Sequence, residues 1–286
     1  MKQKSYDNTP TLYIIPTPIG NLEDITLRAL KTLKEVDVIF AEDTRTTNIL
    51  LKHYDINKRL LSCHLYNEEK MITKEIEYLK KGKNIAVVSD AGTPVISDPG
   101  YILVNSAIKE GYNVVCLPGP TAIIPAVVMS GLAGGPFTFY GFLNSKDSKR
   151  KKELELLKNN KYPLVFYEAP HRLAKTLDNI LEVLGNRKIA IIREISKKYE
   201  EVIRDNVENI INTVENIKGE IVLVVEEETE TKNYYDLSII DHLNLYIEDG
   251  ISSKEAIKKV AKERKIPKNE VYQEYIKNEA INKVGN

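Results

Sequence analysis

Between residues 11 and 130 the chain alternates short β-branched runs with segments of helical period, and few folds tolerate that pattern. The runs "TLYIIP" (11–16), "DVIFA" (37–41), "LLSCH", "NIAVVS" and "NVVCL" read as strands. Between them, "ITLRALKTLKEV" (25–36) reads as a helix with Leu27, Leu30 and Leu33 on one face. "TTNILLKHY", "TKEIEYLKKG" and "YILVNSAIKEG" read likewise, the last two closed by Gly82 and Gly111, and "TAIIPAVVMSG" follows the fifth strand. Strands separated by helices of about ten residues make βαβ units and a mostly parallel sheet. "AVV" and "NVVCL" are apolar on both faces, as strands covered on both sides must be.

Residues 131–142, "GLAGGPFTFYGF", hold four of the 14 glycines and a proline, the composition of a hinge or domain boundary. A fresh α/β pattern then begins. Its strands are "FTFYGF", "PLVFYEAP", "KIAIIREI" and "EIVLVVE". Its helices are "SKRKKELELLKNN" and "HRLAKTLDNILEVLG", while "YEEVIRDNVENIINTV" mixes both signals. The acidic "EEETETKNYYD" reads as a linker. Beyond it, "GISSKEAIKKVAKERKIPKNEVYQEYIKN" reads as two helices broken at Pro267, with Ser252 and Glu255 in capping-box spacing. Ala256, Ile257, Val260 and Ala261 share one face, and Val271, Tyr272 and Ile276 the next. The expected organisation is α/β throughout: two α/β domains, 11–131 and 136–228, plus a small helix-turn-helix-like appendage, 235–286.

The charges cancel, 41 Lys and Arg against 41 Asp and Glu, so any contact with a polyanion must come from local clusters rather than a basic coat. Hydrophobic residues at 42% exclude wholesale disorder. Cys63 and Cys116 sit in apolar runs without a CxxC pair, so two buried structural thiols and a reducing compartment are expected. No stretch approaches the roughly 20 apolar residues of a membrane span, and the polar N-terminus has no apolar region behind it. The expectation is a soluble cytoplasmic protein that engages no membrane.

Chemistry in a parallel sheet collects outside the carboxyl ends of its strands. Four turn-rich loops stand there: "PTPIGNLED" (16–24), "EDTRTT" (42–47), "SDAGTPVISDPG" (89–100) and "PGPT" (118–121). One such turn is ordinary, but four at the same edge imply a built cleft. None is GxGxxG or GxxxxGK[ST], so neither a Rossmann dinucleotide enzyme nor a P-loop NTPase is indicated. The four histidines, at 53, 64, 171 and 242, form no ligand motif, and no metal site is expected.

In order along the chain, "TLYIIPTPIGNLEDITLRAL", "DVIFAEDTRTTNILL", "SDAGTPVISDPG", "LPGPTAIIPA", "FYGFL", "YEAPHRL", "REISKKYEE" and "KGEIVLVVE" resemble the tetrapyrrole-methylase-fold (class III) methyltransferases. Within that fold they are similar to the branch that methylates small-subunit ribosomal RNA. The resemblance spans about residues 11 to 226, and the C-terminal helices resemble that branch's extra domain. It implies S-adenosylmethionine held between two α/β domains, a homodimer, and 2′-O-methylation of a cytidine ribose in the decoding region of 16S ribosomal RNA. The partner would be 16S rRNA or the small ribosomal subunit.

The resemblance also implies site residues. Ile19 and Gly20 match the first cofactor loop. Asp90, with Gly92, Thr93 and Pro94, falls in the loop that packs on the methionine part of the cofactor, and Asp90 is the candidate partner for its ammonium group. Pro118, Gly119, Thr121 and Ala122 match the adenosine side. Tyr167, Arg193 and Glu220 match second-domain positions facing the cleft. Asp98 and Gly100 read instead as capping the next helix. Proton removal has several candidates. Glu42 and Asp43 stand at a strand end, where an ion pair with Arg45 or helix capping is the competing role. Glu168 and His171 compete with capping at Pro170. Lys197 lies in a charged run, with Glu194 and Lys198, that also suits a solvated face. The densest basic cluster, Lys146, Lys149, Arg150, Lys151 and Lys152, is the candidate RNA contact, or else a solvated helix face. Two other readings compete with RNA methylation. One is methylation of a tetrapyrrole precursor on the same fold, and the other is a non-enzymatic RNA-binding assembly factor.

Overall fold

The computed structural model describes residues 3–5, 7–63, 68–214, 217–228, 237–248 and 250–284. Contacts divide the chain into two units, Met1–Glu228 and Thr229–Asn286. The first unit contains two five-stranded sheets.

The first sheet is wholly parallel, in the order β3-β2-β4-β1-β5. Its strands are β1 (Thr11–Ile14), β2 (Val38–Ala41), β3 (Leu60–Ser62), β4 (Ile85–Val88) and β5 (Asn113–Cys116). Every residue of β2 and β4 is buried, because alternate side chains enter different cores. Ile39, Ala41, Ala86 and Val88 face α1 (Leu27–Glu35) and α2 (Thr44–His53). Val38, Phe40, Ile85 and Val87 face α3 (Glu68–Lys80) and α4 (Tyr101–Lys109). The β1, β4 and β5 termini lie side by side at the carboxyl edge.

The second sheet is mixed, in the order β6-β7-β10-β8-β9. It comprises β6 (Thr138–Phe142), β7 (Leu164–Glu168), β8 (Lys188–Arg193), β9 (Glu201–Asn206) and β10 (Ile221–Val225). Only β6 and β7 run parallel; the other pairs are antiparallel. One face carries α6 (Asp147–Leu157), α7 (Leu173–Leu184) and α8 (Val207–Ile211). The other carries α5 (Ile123–Ser130), which places Ala126 and Val127 against Val165, Ala190, Ile192, Val222 and Val224. Although α5 follows the first sheet in sequence, it packs on the second.

Several local expectations are corrected. Leu27 is 86% exposed, because Thr26 caps α1 and the first turn points outward while Ala29, Thr32 and Leu33 are buried. Cys63 is buried, but Cys116 is exposed, on the edge strand β5. The two helices expected on either side of Pro267 are present, α10 (Ser253–Arg264) and α11 (Lys268–Val284), and among the described residues a further helix that the sequence reading did not name, α9 (Ile239–Glu248), precedes them. Ala256, Ile257, Val260 and Ala261 form its core with Leu243 and Val271. Tyr272 and Ile276, expected inside, are 47% and 42% exposed. Ser252 occupies the N-cap of α10 without a side-chain capping bond. Most of the expected acidic linker lies outside the described residues.

Candidate active site

The loops at the carboxyl edge are tied to one another. Thr17 and Gly92 exchange backbone hydrogen bonds, both 2.9 Å. The Thr17 hydroxyl donates to the Ser89 carbonyl at 3.0 Å, and the Thr93 hydroxyl to the Pro120 carbonyl at 3.2 Å. A Cβ on Gly119 would stand 2.8 Å from Cβ of Pro16, so only glycine allows that approach. Within loop 89–100, Val95 (φ +80°) and Ser97 (φ +68°) are left-handed, joined by Gly92 and Gly100. A β-branched residue there is strained, and such strain persists where neighbouring structure holds it. The turn chemistry at the end of β4 thus folds a wall back over the first loop.

The wall encloses a cavity of about 500 Å³ between the two sheets. From the first sheet's loops come Ile19, Gly92, Thr93, Asp98, Thr121 and Ala122; from the second come Phe142, Tyr167, Glu168, Ile195, Glu220 and Val222. Seven of the thirteen expected cofactor residues line it: Ile19, Gly92, Thr93, Thr121, Ala122, Tyr167 and Glu220. Gly20 and Asp90 instead line a smaller neighbouring cavity of about 200 Å³, with Thr46, Thr47 and Ser89. Pro94, Pro118 and Gly119 support the loops without lining the larger space. Arg193 is turned aside, its guanidinium paired with Glu201 on β9.

The acid that does line the large cavity is Asp98. It caps nothing: Gly100 is the N-cap of α4, and no side chain bonds there. Burial, then repulsion from Glu42 and Asp90, pushes the Asp98 carboxyl up to about 6. Asp90 is also raised, chiefly by burial, and accepts a hydrogen bond from the Asp43 amide at 3.1 Å. Tyr167 is pushed up to about 12 by burial and then by Asp98 and Glu220, so its hydroxyl keeps its proton.

The expected bases have other occupations. Asp43 caps α2 and pairs with Arg45 at 2.6 Å, which holds its carboxyl down to about 2. A carboxylate so stabilised is a poor proton acceptor near neutrality. Glu42 accepts from the Asp90 amide at 3.4 Å. The Glu168 side chain is fully buried, with Arg172 at 2.6 Å, Thr176 at 2.5 Å and the Ala169 amide at 2.7 Å, so its oxygens are spent on structure. His171 is exposed on the turn before α7 and does not line the cavity.

Lys197 works as a strut. Its ammonium bridges Glu194 at 2.9 Å and Glu220 at 3.1 Å, and its stem lies over Gly20, where a Cβ would overlap it. Ser196 bonds Asp24 in the first loop, so the segment after β8 clasps the loop after β1. The basic cluster on α6 divides. Arg150 is 2% exposed and donates to Asn179 at 2.6 Å and to the carbonyls of Asn144 and Ser145; it ties α6 to α7 and cannot meet RNA. Lys151 is engaged with Asp147 and Glu182. Lys146, Lys149 and Lys152 remain exposed, with no ion-pair partner among the described residues. Sequence reasoning missed Asp98 as a cavity residue, together with Phe142, Ile195 and Gly219. Its second acid in "SDAGTPVISDPG" was visible but indistinguishable from a helix cap.

A parallel sheet and a mixed sheet thus face one cleft, with a half-buried acid and a shielded phenol inside. Residues 11–211 match the tetrapyrrole (corrin/porphyrin) methylases, and the chain belongs to that family of methyltransferases. Among solved structures, the methyltransferase CobJ superposes with TM-score 0.60 at 17% identity, covering 77% of this chain and 95% of that one, which shows the shared fold. Ribosomal RNA small subunit methyltransferase I of Bacillus subtilis is 50% identical over 272 residues, 92% of this chain and 93% of its own. The protein of that name from Thermotoga maritima is 50% identical over 216 residues, 75% of this chain and 97% of its own. Within the fold, the chain belongs with the ribosomal RNA small subunit methyltransferase I proteins. No helix among the described residues is long and apolar enough to cross a membrane.

Proposed function

We propose that this enzyme transfers a methyl group from S-adenosylmethionine to the 2′-hydroxyl of a cytidine in the decoding region of 16S ribosomal RNA. The observation that carries the reading is the near full-length likeness to small-subunit rRNA methyltransferases of a chain whose cleft holds a half-buried acid. The donor suits the cavity. A volume of about 500 Å³ lies within the roughly 300–1,000 Å³ of small-molecule sites. Ile19, Ile123, Ile195 and Val222 offer apolar surface for a purine, and Gly92 and Gly219 let backbone approach closely. Bound there, the donor supplies an electrophilic methyl group on a sulfonium sulfur.

The chain's own residues then have defined tasks. The cleft walls orient the acceptor hydroxyl and exclude water. Asp98 accepts the hydroxyl proton on a carboxylate oxygen; its elevated value places it near the working pH of a general base. Tyr167, protonated across the working range, can donate but not accept a proton. Lys197 holds Glu220 and the first loop in place. Lys146, Lys149 and Lys152 contribute phosphate contacts at the edge of the second sheet. Asp90, in the smaller cavity beside the first loop, shapes that loop rather than touching the donor.

The test supplies labelled S-adenosylmethionine with small ribosomal subunits, or free small-subunit RNA, from cells lacking this gene. The expected product is one labelled cytidine ribose, mapped by 2′-O-methyl-sensitive primer extension. Donor binding without transfer to any RNA would overturn the reading and favour a small-molecule acceptor. The homodimer that the resemblance implies is consistent with Ile124 and Val128, exposed at 52% and 72% on the outer side of α5. Light scattering of the purified protein is expected to give twice the chain mass; a monomeric mass would dismiss the dimer.

A further inference from the structure

The C-terminal unit lies outside the methylase core: the family match ends at residue 211, and the three helices follow it. They build a small core of their own, yet not all of their large side chains enter it. Tyr272 is 47% exposed and stands beside an open groove of about 650 Å³ where α10 and α11 begin. The groove is walled by Ser253, Lys254, Ile257, Lys268, Asn269 and Tyr275, and contains no acidic residue. Tyr275 is fixed by its hydroxyl, which bonds Ser253 at 3.1 Å, so the floor is firm.

The charge around the groove is one-sided. The chain as a whole is neutral, but residues 253–268 carry Lys254, Lys258, Lys259, Lys262, Arg264, Lys265 and Lys268 against Glu255 and Glu263. Lys254, Lys258 and Lys262 fall at helical spacing within about a quarter of the circumference of α10, Lys265 follows as its left-handed C-cap, and all are exposed. None makes an ion pair among the described residues, and neither does Lys268. The acids of α10 and α11 are partly engaged elsewhere: Glu263 holds His242 and Tyr246, and Glu274 holds Lys277. A ridge of unpaired lysines that leads into a groove with an exposed aromatic ring combines the two elements of single-strand recognition. Lysines follow the phosphate backbone, and the ring offers a stacking face to any base. A protein partner would need an acidic surface of matching length but gives no reason for the ring to stand at the groove's mouth.

We propose that this groove is a binding subsite for single-stranded RNA, with phosphates along Lys254, Lys258 and Lys268 and an unstacked base on Tyr272. The inference rests on the RNA-acceptor reading above and adds a second point of attachment, on the C-terminal unit. It gives a neutral protein a local means of holding a polyanion.

The full-length protein is tested with a mixed-sequence single-stranded RNA oligonucleotide, by fluorescence anisotropy across a salt series. Tyr272→Ala is expected to weaken binding about tenfold, and Tyr272→Phe to bind as the parent does, because stacking needs the ring and not the hydroxyl. Tyr272 is half exposed, so neither change empties the core. Lys254→Ala combined with Lys268→Ala is expected to lower the slope of log K against log salt by about 2. Lys31→Ala, on α1 of the first unit and paired with Glu35, serves as the matched control and should change neither. Unchanged affinity and slope in the groove variants would overturn the proposal, as would an equal loss for Phe and Ala. A loss seen with small subunits but not with free RNA would assign the groove to a protein. Methyl transfer to RNA by the parent, measured separately, keeps failure of this subsite distinct from failure of the RNA-acceptor reading.

Discussion

Asp98→Asn is expected to slow methyl transfer about 10²- to 10⁴-fold, the range for removal of a positioned base, while donor affinity stays within a few-fold of the parent. The asparagine fills the same space in the cavity wall and cannot accept the proton. The pH profile separates this role from simple support. With the Asp98 carboxyl at about 6, parent activity should rise as pH increases through that value and then level off. The groups facing Asp98 are Glu42, Asp90 and Tyr167, and Tyr167 stays protonated until about 12. The variant should lose the rise near 6. A parallel fall in donor affinity would instead make Asp98 a donor ligand, and an unchanged rate would remove it from the reaction.

Stability should move the opposite way. The folded state raises Asp98 above the ordinary carboxyl value of 3.8, so it favours the protonated form. The stability linked to that proton is fully present below about 4 and is lost as pH rises through about 6. At pH 7 the parent carries an ionised carboxylate in a place that disfavours it. Asp98→Asn should therefore be more stable at pH 7, on the order of 1–2 kcal/mol after allowance for its partial exposure. Below pH 4 the advantage should vanish, which chemical denaturation at two pH values would read. A less stable and less active variant would point to a structural role.

Arg150→Ala is expected to cost about 3 kcal/mol in unfolding free energy, while Lys149→Ala, one residue earlier, stays within about 0.5. Removal of the Arg150 guanidinium leaves Asn179 Oδ1 without its donor inside the protein and empties the space that a side chain only 2% exposed had filled. Lys149 is exposed, so its loss should appear in the salt dependence of RNA binding and not in the melting transition. Urea titrations of both variants, with RNA affinity measured on each, check the division. If Arg150→Ala were as stable as the parent, the tie between α6 and α7 would not matter as drawn.

Much of this protein was legible in one dimension. The strands β2 and β4 are apolar at every position, and only a sheet covered on both faces can bury them. Gly82 and Gly111 close helices because a left-handed turn there suits glycine. The ordered motifs from Thr11 to Glu226 indicated the methyltransferase fold by their resemblance to it, and the four turn-rich loops of the first half do fall at the carboxyl edge of the parallel sheet.

What failed was the assignment of individual side chains. Two acids eight residues apart in one loop look alike in sequence, yet left-handed Val95 and Ser97 turn the chain so that Asp98 meets the large cavity and Asp90 the small one. Five basic residues within seven positions look like one surface, but helical rotation carries Arg150 into the α6–α7 seam and leaves Lys149 and Lys152 in water. The helix α5 has an apolar pattern that either sheet could cover, and only three-dimensional packing gave it to the second. By itself the sequence determined the layers, the edge where the loops gather and the kinds of residue available there, because periodicity is local. Only the tertiary structure decided which carboxylate is desolvated, which cation is buried and which sheet a helix joins, because each depends on groups distant along the chain.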